Sequence, residues 1–346
     1  MKVSLKKLPE QVMVVTGATS GIGLTTARMA AAEGVALVLA ARDGGALAQL
    51  ATELEAAGVQ VLAVPTDVGV RAQVEQLGQA AIDRFGRINT WVNNAGVSIF
   101  GRHEQVTEED WHRLFQTNFW GVVHGSLEAL KHMRAGGGAL INLGSELSDC
   151  TVPLQGMYAA SKHAVKGFTD SLRMEIEKDK VPVSVTLIKP AAIDTLFTVH
   201  AKNYLPHEPQ LPPPLYAPEL VAQAILHAAC HPQRDIYVGG ASKLMSVGSF
   251  HMPRLFDRYA EATMFRQQQS DRPAAPDRQD ALHAPNHGFN GSALQQRSGL
   301  QPYPVWESSP YTALSLRAGP ARKALLWGGA AYAMYKLLAR PASART

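Results

Sequence analysis

The chain reads as an α/β protein, a doubly wound parallel sheet of about seven strands with helices on both faces, followed by a C-terminal extension. Three observations predict this. Strand-like and helix-like stretches alternate over the first 240 of the 346 residues. The strand-like stretches are continuously apolar, as in Leu37-Val38-Leu39, the pattern of strands buried on both faces. A glycine-rich turn, Thr16-Gly17-Ala18-Thr19-Ser20-Gly21-Ile22-Gly23, joins the first strand-like run, Val12 to Val15, to a helix-like stretch from Ile22 to Ala32.

The elements follow in order. Strands are expected at Val12 to Val15, Val35 to Ala41, the run ending Val64-Pro65, Thr90 to Val92, Ala139 to Leu143, Val183 to Ile188 and Asp235 to Val238. Helices are expected over Val70 to Phe85, Glu108 to Met133, Tyr158 to Lys178 and Pro218 to Ala229. Right-handed crossovers between such strands put a ligand crevice at their C-terminal ends.

The spacing of Gly17, Gly21 and Gly23 suits a tight turn, close approach of backbone to a phosphate, and close packing of helix on strand. A helix starting there offers unpaired N–H groups to an anion, which is the requirement of a dinucleotide pyrophosphate. Far downstream lies Tyr158-Ala159-Ala160-Ser161-Lys162. Residues four apart share a helix face, so Tyr158 and Lys162 are neighbours. An ammonium beside a phenol favours the phenolate, bringing a group of pKa near 10 toward use as a proton donor and acceptor. A carbonyl that receives a hydride needs such a donor, with a second hydrogen-bonding group at the same oxygen.

On these motifs the chain resembles the short-chain dehydrogenase/reductase family of NAD(P)-dependent oxidoreductases, over roughly residues 8 to 240, and the resemblance implies a Rossmann-type sheet. Further landmarks fall in the family's order. Asp67 is similar to the carboxylate that faces the adenine ring, with Val68 beside it; Asn93-Asn94-Ala95-Gly96 resembles the motif that closes the fourth strand. Asn118 matches the asparagine of the proton relay, and Ser145, thirteen positions before Tyr158, matches the serine that orients the substrate oxygen. The resemblance implies a catalytic set of Asn118, Ser145, Tyr158 and Lys162. Lys162 would also reach the nicotinamide ribose. It further implies cofactor contacts at Thr16, Gly17, Thr19, Ser20, Gly21, Ile22, Gly23, Asn94, Ala95, Gly96, Pro190, Ile193 and Thr195. Two departures stand out: Ala191 where the family usually has glycine after Pro190, and Gly144 where a second serine is common.

Cofactor choice turns on the end of the second strand. An acid there would bind the ribose 2′-hydroxyl of NAD and repel the 2′-phosphate of NADP. The strand ends instead in Ala41-Arg42, and a guanidinium suits a phosphate, so NADP(H) is expected over NAD(H). Asp43, one position later, is expected to start the next helix or pair with Arg42. The expected activity is hydride transfer between nicotinamide and a ketone or secondary alcohol. The segment from Ile193 to Tyr216 is expected to cover the pocket; its apolar start favours a hydrophobic substrate, with Ser98, Leu147 and Phe197 as candidate contacts. His200 and His207 lack partners at metal spacing and are expected at the surface, with no metal site. One rival reading is a non-catalytic NADP(H)-binding scaffold; another is a membrane-associated reductase of lipid-like ketones.

The chain divides in composition into a catalytic domain over 1–250, an extension over 251–320, and a short apolar helix over 321–340. After Arg266 the sequence turns polar, with proline, glycine and glutamine, and is expected to be largely linker-like or disordered. Residues 251–346 carry 12 Lys+Arg against 6 Asp+Glu, so the chain's net charge of +4 belongs to its tail. The uncharged run from Ala324 to Tyr335 is short of the ~20 residues that span a bilayer. Peripheral membrane contact and docking on protein both fit it. The N-terminus lacks a secretory pattern and the two cysteines make no disulfide framework, so a cytoplasmic setting is expected. The basic tail has no accompanying aromatic-rich face, which argues against nucleic acid. A homodimer or homotetramer through the two long helices is implied by the resemblance.

Overall fold

The computed structural model of the protein describes residues 3–286, 294–300 and 302–317. Seven strands form one parallel sheet: β1 (Val12–Thr16), β2 (Ala36–Ala41), β3 (Val61–Pro65), β4 (Thr90–Asn93), β5 (Gly138–Leu143), β6 (Val183–Pro190) and β7 (Asp235–Val238). Their spatial order is β7-β6-β5-β4-β1-β2-β3, so the chain winds outward from β1 in one direction and then from β4 in the other. The reversal between β1 and β4 opens the crevice at which such sheets bind nucleotides.

Successive residues of β1 feed opposite faces: Met13 and Val15 enter one core, Val12 and Val14 the other. The first core is closed by α1 (Gly21–Ala32), α2 (Gly44–Ala56) and α8 (Pro218–Cys230), through residues such as Leu24, Leu50 and Val221. The second is closed by α3 (Arg71–Phe85), α5 (Gly121–Met133) and α6 (Gly156–Lys178), through Leu77, Met133 and Leu172. This two-sided burial is what the continuous apolar runs require.

The long helix expected from Glu108 to Met133 is present with one irregularity. Between α4 (Glu108–Phe115) and α5, residues Gln116–Trp120 form a π turn. Such a turn inserts one residue into the helical register, and the buried Asn118 lies at its centre.

The extension is where structure and composition part. The stretch expected to be linker-like carries α10 (Pro253–Gln267), which follows α9 (Gly240–His251), then a short strand, Gln269–Pro273, and α11 (Pro310–Arg317). The strand pairs antiparallel with His207–Pro209, and Val305–Trp306 pairs with Leu215–Tyr216. Side-chain hydrogen bonds to backbone carbonyls hold the extension. Arg278 donates to the carbonyl oxygens of Thr198, Val199 and Ala201 and pairs with Glu208 at 3.0 Å. The described part of the extension is held by these polar contacts with the 196–216 segment, which carries α7 (Phe197–His200), and by Ala260, Met264 and Leu282, buried in one apolar cluster with Leu147 and Tyr158; these apolar residues are too scattered along the polar stretch to give a periodicity. The apolar helix expected over 321–340 lies outside the described residues.

Candidate active site

The crevice has two connected compartments at the C-terminal ends of the strands. The larger, about 210 Å³, is lined by the glycine turn, the ends of β2 and β3, and Asn94 to Val97. The smaller, about 150 Å³, is lined by Ser145, Tyr158 and Lys162 together with Leu147, Leu211, Met245 and Met264. Ile22, Asn94, Gly96, Thr195 and Phe197 line both and form the passage between them.

The glycine turn is built by steric demand. Gly17 has φ +66° and a Cβ there would lie 2.9 Å from Ala95 Cα; at Gly23 a Cβ would lie 2.0 Å from the Gly17 carbonyl oxygen. Gly17, Thr19, Ser20, Gly21 and Ile22 line the large compartment, whereas Gly23 packs behind the turn. Thr16 also lies behind it: its hydroxyl accepts from Asn94 N and Ala95 N and donates to Val92 O, joining β1 to β4. Asn94 Nδ2 donates to the carbonyls of Thr16 and Gly17 at 2.9 and 3.2 Å, fixing the turn from the other side. The start of α1 has no side-chain cap, which leaves its first N–H groups without intrahelical or side-chain partners; that of Gly21 donates to Gln295 O at 2.9 Å.

At the far end, Arg42 donates to the carbonyls of Leu282 and Ala281 in the extension. Burial and the nearby Arg113 lower the Arg42 pKa, against Asp67 and Asp280. Asp67 is not on the compartment wall. Its carboxylate accepts from Arg113 at 2.6 Å and from Gly69 N at 2.9 Å, and the wall there is Thr66 and Val68. Asp43 caps α2 by accepting from Ala46 N at 3.0 Å. Pro285 and Asn286 of the extension complete the wall. His200, expected at the surface, also lines it; burial, with Arg42 and Arg278 nearby, pushes its pKa down to about 4.

In the small compartment, Ser145 ends β5 and caps a single 3-10 turn, Glu146–Ser148: its Oγ accepts from Leu147 N, while Ser148 Oγ accepts from Ser145 N. The turn is anchored by Asp149, which accepts from the buried Lys189 ammonium and from the hydroxyls of Tyr237 and Ser246, all at 2.9 Å. Gly144 has no room for a second serine here, since a Cβ would lie 2.8 Å from Ser148 Oγ. Ala191 is accommodated, its N–H donating to Val238 O.

Tyr158 and Lys162 project from α6 toward Ser145. Tyr158 shares the wall with Ser145, close enough for the serine to favour its ionised form. Lys162 Nζ lies 5.7 Å from the Tyr158 ring centroid and donates to Leu143 O at 2.9 Å. Asn118 stands behind: its Nδ2 donates to Val97 O and Ser161 Oγ, and its Oδ1 accepts from Val97 N. The titration of the pair departs from the sequence expectation. Burial holds the Tyr158 phenol well above its usual range, opposed by Ser145 and reinforced by the charge of Glu146. Burial brings Lys162 down to about 8.

Of the other expected residues, Pro190, Ile193 and Thr195 line the small compartment, as do Leu147 and Phe197. Ser98 does not; it is buried behind Gln155, which donates to its hydroxyl. Sequence reasoning missed Glu146, Gln155, Leu211, Met245 and Met264 on that wall. Glu146 follows Ser145 directly, and an acid beside an active-site serine is the signal that was there to find. Among the described residues no group of His, Cys, Asp and Glu could hold a metal ion.

A family model described as short chain dehydrogenase matches residues 11–204, which hold the glycine turn and the Ser145, Tyr158 and Lys162 cluster. The chain belongs to the short-chain dehydrogenase family. It is 47% identical over 292 residues to the uncharacterized oxidoreductase YxnA of Bacillus subtilis, covering 84% of this chain and 82% of that one. A match of that length runs beyond the catalytic domain and includes part of the extension. Among solved structures, a short-chain dehydrogenase/reductase from Burkholderia phymatum in complex with NAD is 27% identical with a TM-score of 0.63, covering 78% of this chain and 100% of that one. An alcohol dehydrogenase from Thermococcus sibiricus complexed with 5-hydroxy-NADP is 28% identical with a TM-score of 0.58, covering 66% of this chain and 95% of that one. The protein is thus a short-chain dehydrogenase-type oxidoreductase of CH–OH or carbonyl groups that uses NAD(P).

Proposed function

We propose that this short-chain dehydrogenase is an NADP(H)-dependent reductase of ketones, working also on secondary alcohols in reverse, with Tyr158 as general acid/base. The observation that carries this reading is the convergence of Ser145, Tyr158 and Lys162 on one wall of a compartment that opens into the glycine-lined crevice. Tyr158 and Ser145 are thus set to meet one substrate oxygen together.

The crevice fits a dinucleotide. Gly17 and Gly21 leave space where a side chain would intrude, and the uncapped start of α1 suits a pyrophosphate. Val68 and Thr66 would flank the base, Ile193 and Thr195 the nicotinamide end. Bound NADPH supplies the hydride. The residues of this chain manage the proton: the raised phenol of Tyr158 keeps its hydrogen at neutral pH and so is ready to donate it to the oxygen that gains charge. Lys162, charged below about 8, offsets the charge left on the phenol as the proton departs, and Asn118 holds the turn of helix behind it.

Arg42 puts a guanidinium on the wall at the far end of the crevice, and Asp43 is spent on capping α2; both features support NADP(H) over NAD(H). The lid residues Phe197 and Leu211 make the small compartment mostly apolar, in support of a hydrophobic body for the substrate. We read 251–320 as an extension that roofs the crevice of the 1–250 domain. We read the exposed Trp120, Leu127 and Met174, on the two long helices, as part of a homodimer or homotetramer interface. Among the described residues no helix is long and apolar enough to cross a membrane.

The test is a spectrophotometric screen of ketones with NADPH and NADH. Reduction of aryl or alkyl ketones with NADPH, lost in Tyr158→Phe while the cofactor still binds, is the expected result. Undiminished turnover by the variant would reject the mechanism.

A further inference from the structure

The small compartment contains one group that the proposed chemistry does not use. Glu146 follows Ser145, and it lines the same cavity as Tyr158. Among the described residues its side chain makes no hydrogen bond or ion pair; only its backbone carbonyl is engaged, by Asp149 N and Cys150 Sγ. Its carboxyl oxygens are also absent from the buried polar atoms that lack a partner, although the residue is only half-buried. They therefore retain open surface, and the residue lines the cavity. Protein otherwise surrounds the group, for burial raises its pKa to about 7, and its charge reaches the Tyr158 phenol.

A hydrocarbon filling this cavity would cover the carboxyl and leave it without a partner, a loss that a well-fitted substrate avoids. No guanidinium or imidazole shares this wall, and the one ammonium, that of Lys162, is bound to Leu143 O. The partner must come with the substrate.

We infer that Glu146 is a specificity-determining residue that selects ketones bearing a hydrogen-bond donor, a hydroxyl or ammonium group, close to the reacting carbonyl. This rests on the proposed reductase reading and narrows it from hydrophobic ketones to ones with an apolar body and one donor beside the carbonyl. Adjacency fixes the distance: Ser145 takes the reacting oxygen, and the next residue along a 3-10 turn takes the neighbouring substituent. An apolar ring or chain then lies against Leu147, Met245 and Met264.

The experiment compares acetophenone, α-hydroxyacetophenone and α-aminoacetophenone as substrates of the full chain, Glu146→Gln and Glu146→Leu. Alongside, calorimetry measures binding of 1-phenyl-1,2-ethanediol against 1-phenylethanol, a readout independent of turnover. The full chain should prefer the hydroxy over the plain ketone by about 100-fold in kcat/KM, and the diol over the mono-alcohol in affinity. Glu146→Leu should erase both preferences, its loss of kcat/KM on the hydroxy ketone exceeding any change on acetophenone by at least about tenfold. Glu146→Gln, which keeps an acceptor but no charge, should retain the hydroxyl preference and lose the ammonium one. Equal handling of the three ketones by the wild-type chain, or equal losses on all three in Glu146→Leu, would overturn the inference. A diol preference that depends on Glu146, with no ketone reduced by any form, would sustain the inference and reject the reductase reading. Thermal melting verifies that both variants fold; should Glu146→Leu not fold, the hydroxyl-against-ammonium split in Glu146→Gln decides.

Discussion

The two compartments of the crevice are made by different means. The large one is walled mostly by backbone and by small residues: a glycine turn, the uncapped start of α1, and strand ends whose side chains are spent on one another, as with Thr16 and Asn94. The small one is walled by side chains, with Tyr158, Lys162, Ser145 and Glu146 standing among apolar residues. A backbone-built site tolerates few changes of shape because its atoms cannot be retracted, whereas a side-chain-built site is altered one group at a time. The first holds a constant ligand and the second distinguishes among variable ones.

Substitutions can break this contrast or sharpen it. The largest effect is expected from Tyr158→Phe, which removes the proton donor and keeps the ring: kcat should fall by about 10²–10⁴-fold, with cofactor affinity from fluorescence titration nearly unchanged. Next comes Gly23→Ala. The added methyl would sit 2.0 Å from the Gly17 carbonyl oxygen, so the turn must move, and kcat/KM for the cofactor should fall by about 100-fold with no reacting group touched. A variant that matched wild type would show that the turn is pliable and would remove the contrast. Arg42→Ala should raise KM for NADPH by about tenfold and leave that for NADH within about twofold, as steady-state kinetics would report. Equal rises would mean that the guanidinium serves the extension and not a phosphate.

The smallest effect concerns pH. In the unfolded chain the Glu146 carboxyl ionises near 4.5, in the folded protein near 7, so between these values the folded state holds a proton that the unfolded state has released. Raising the pH through that window therefore removes stability. Glu146→Gln does not titrate, and its melting temperature relative to wild type should climb by about 2–4 °C from pH 4.5 to 7 and then level off. A constant difference across the window would show that the carboxyl is freely solvated.

Much of this was legible in the sequence, for identifiable reasons. Strands buried on both faces must be largely apolar, so central strands such as β2 were visible as runs like Leu37-Val38-Leu39, while the edge strands β3 and β7, only partly buried, were visible through their spacing between helices. The glycine turn and the Tyr158–Lys162 spacing were visible because their geometry admits few residue types. The π turn around Asn118 was not, since one inserted residue leaves the apolar pattern on either side intact. Neither was the order of the extension, whose contacts are scattered apolar residues such as Met264 and Leu282 and hydrogen bonds from Arg278 and Arg42 to carbonyl oxygens, which any residue can supply. Asp67 illustrates the same limit: its type was legible, but its turn toward Arg113 depends on a residue 46 positions away.

The bond from Gly21 N to Gln295 O and those from Arg42 to the carbonyls of Ala281 and Leu282 tie the opening of the chain to a stretch made some 240 to 274 positions later. Synthesis runs from the N-terminus, and the sheet is complete once β7 has emerged. The nucleotide crevice is not: its roof is made from residues that follow the whole sheet, so a ribosome-bound intermediate already has its hydrophobic interior while its cofactor cleft still gapes.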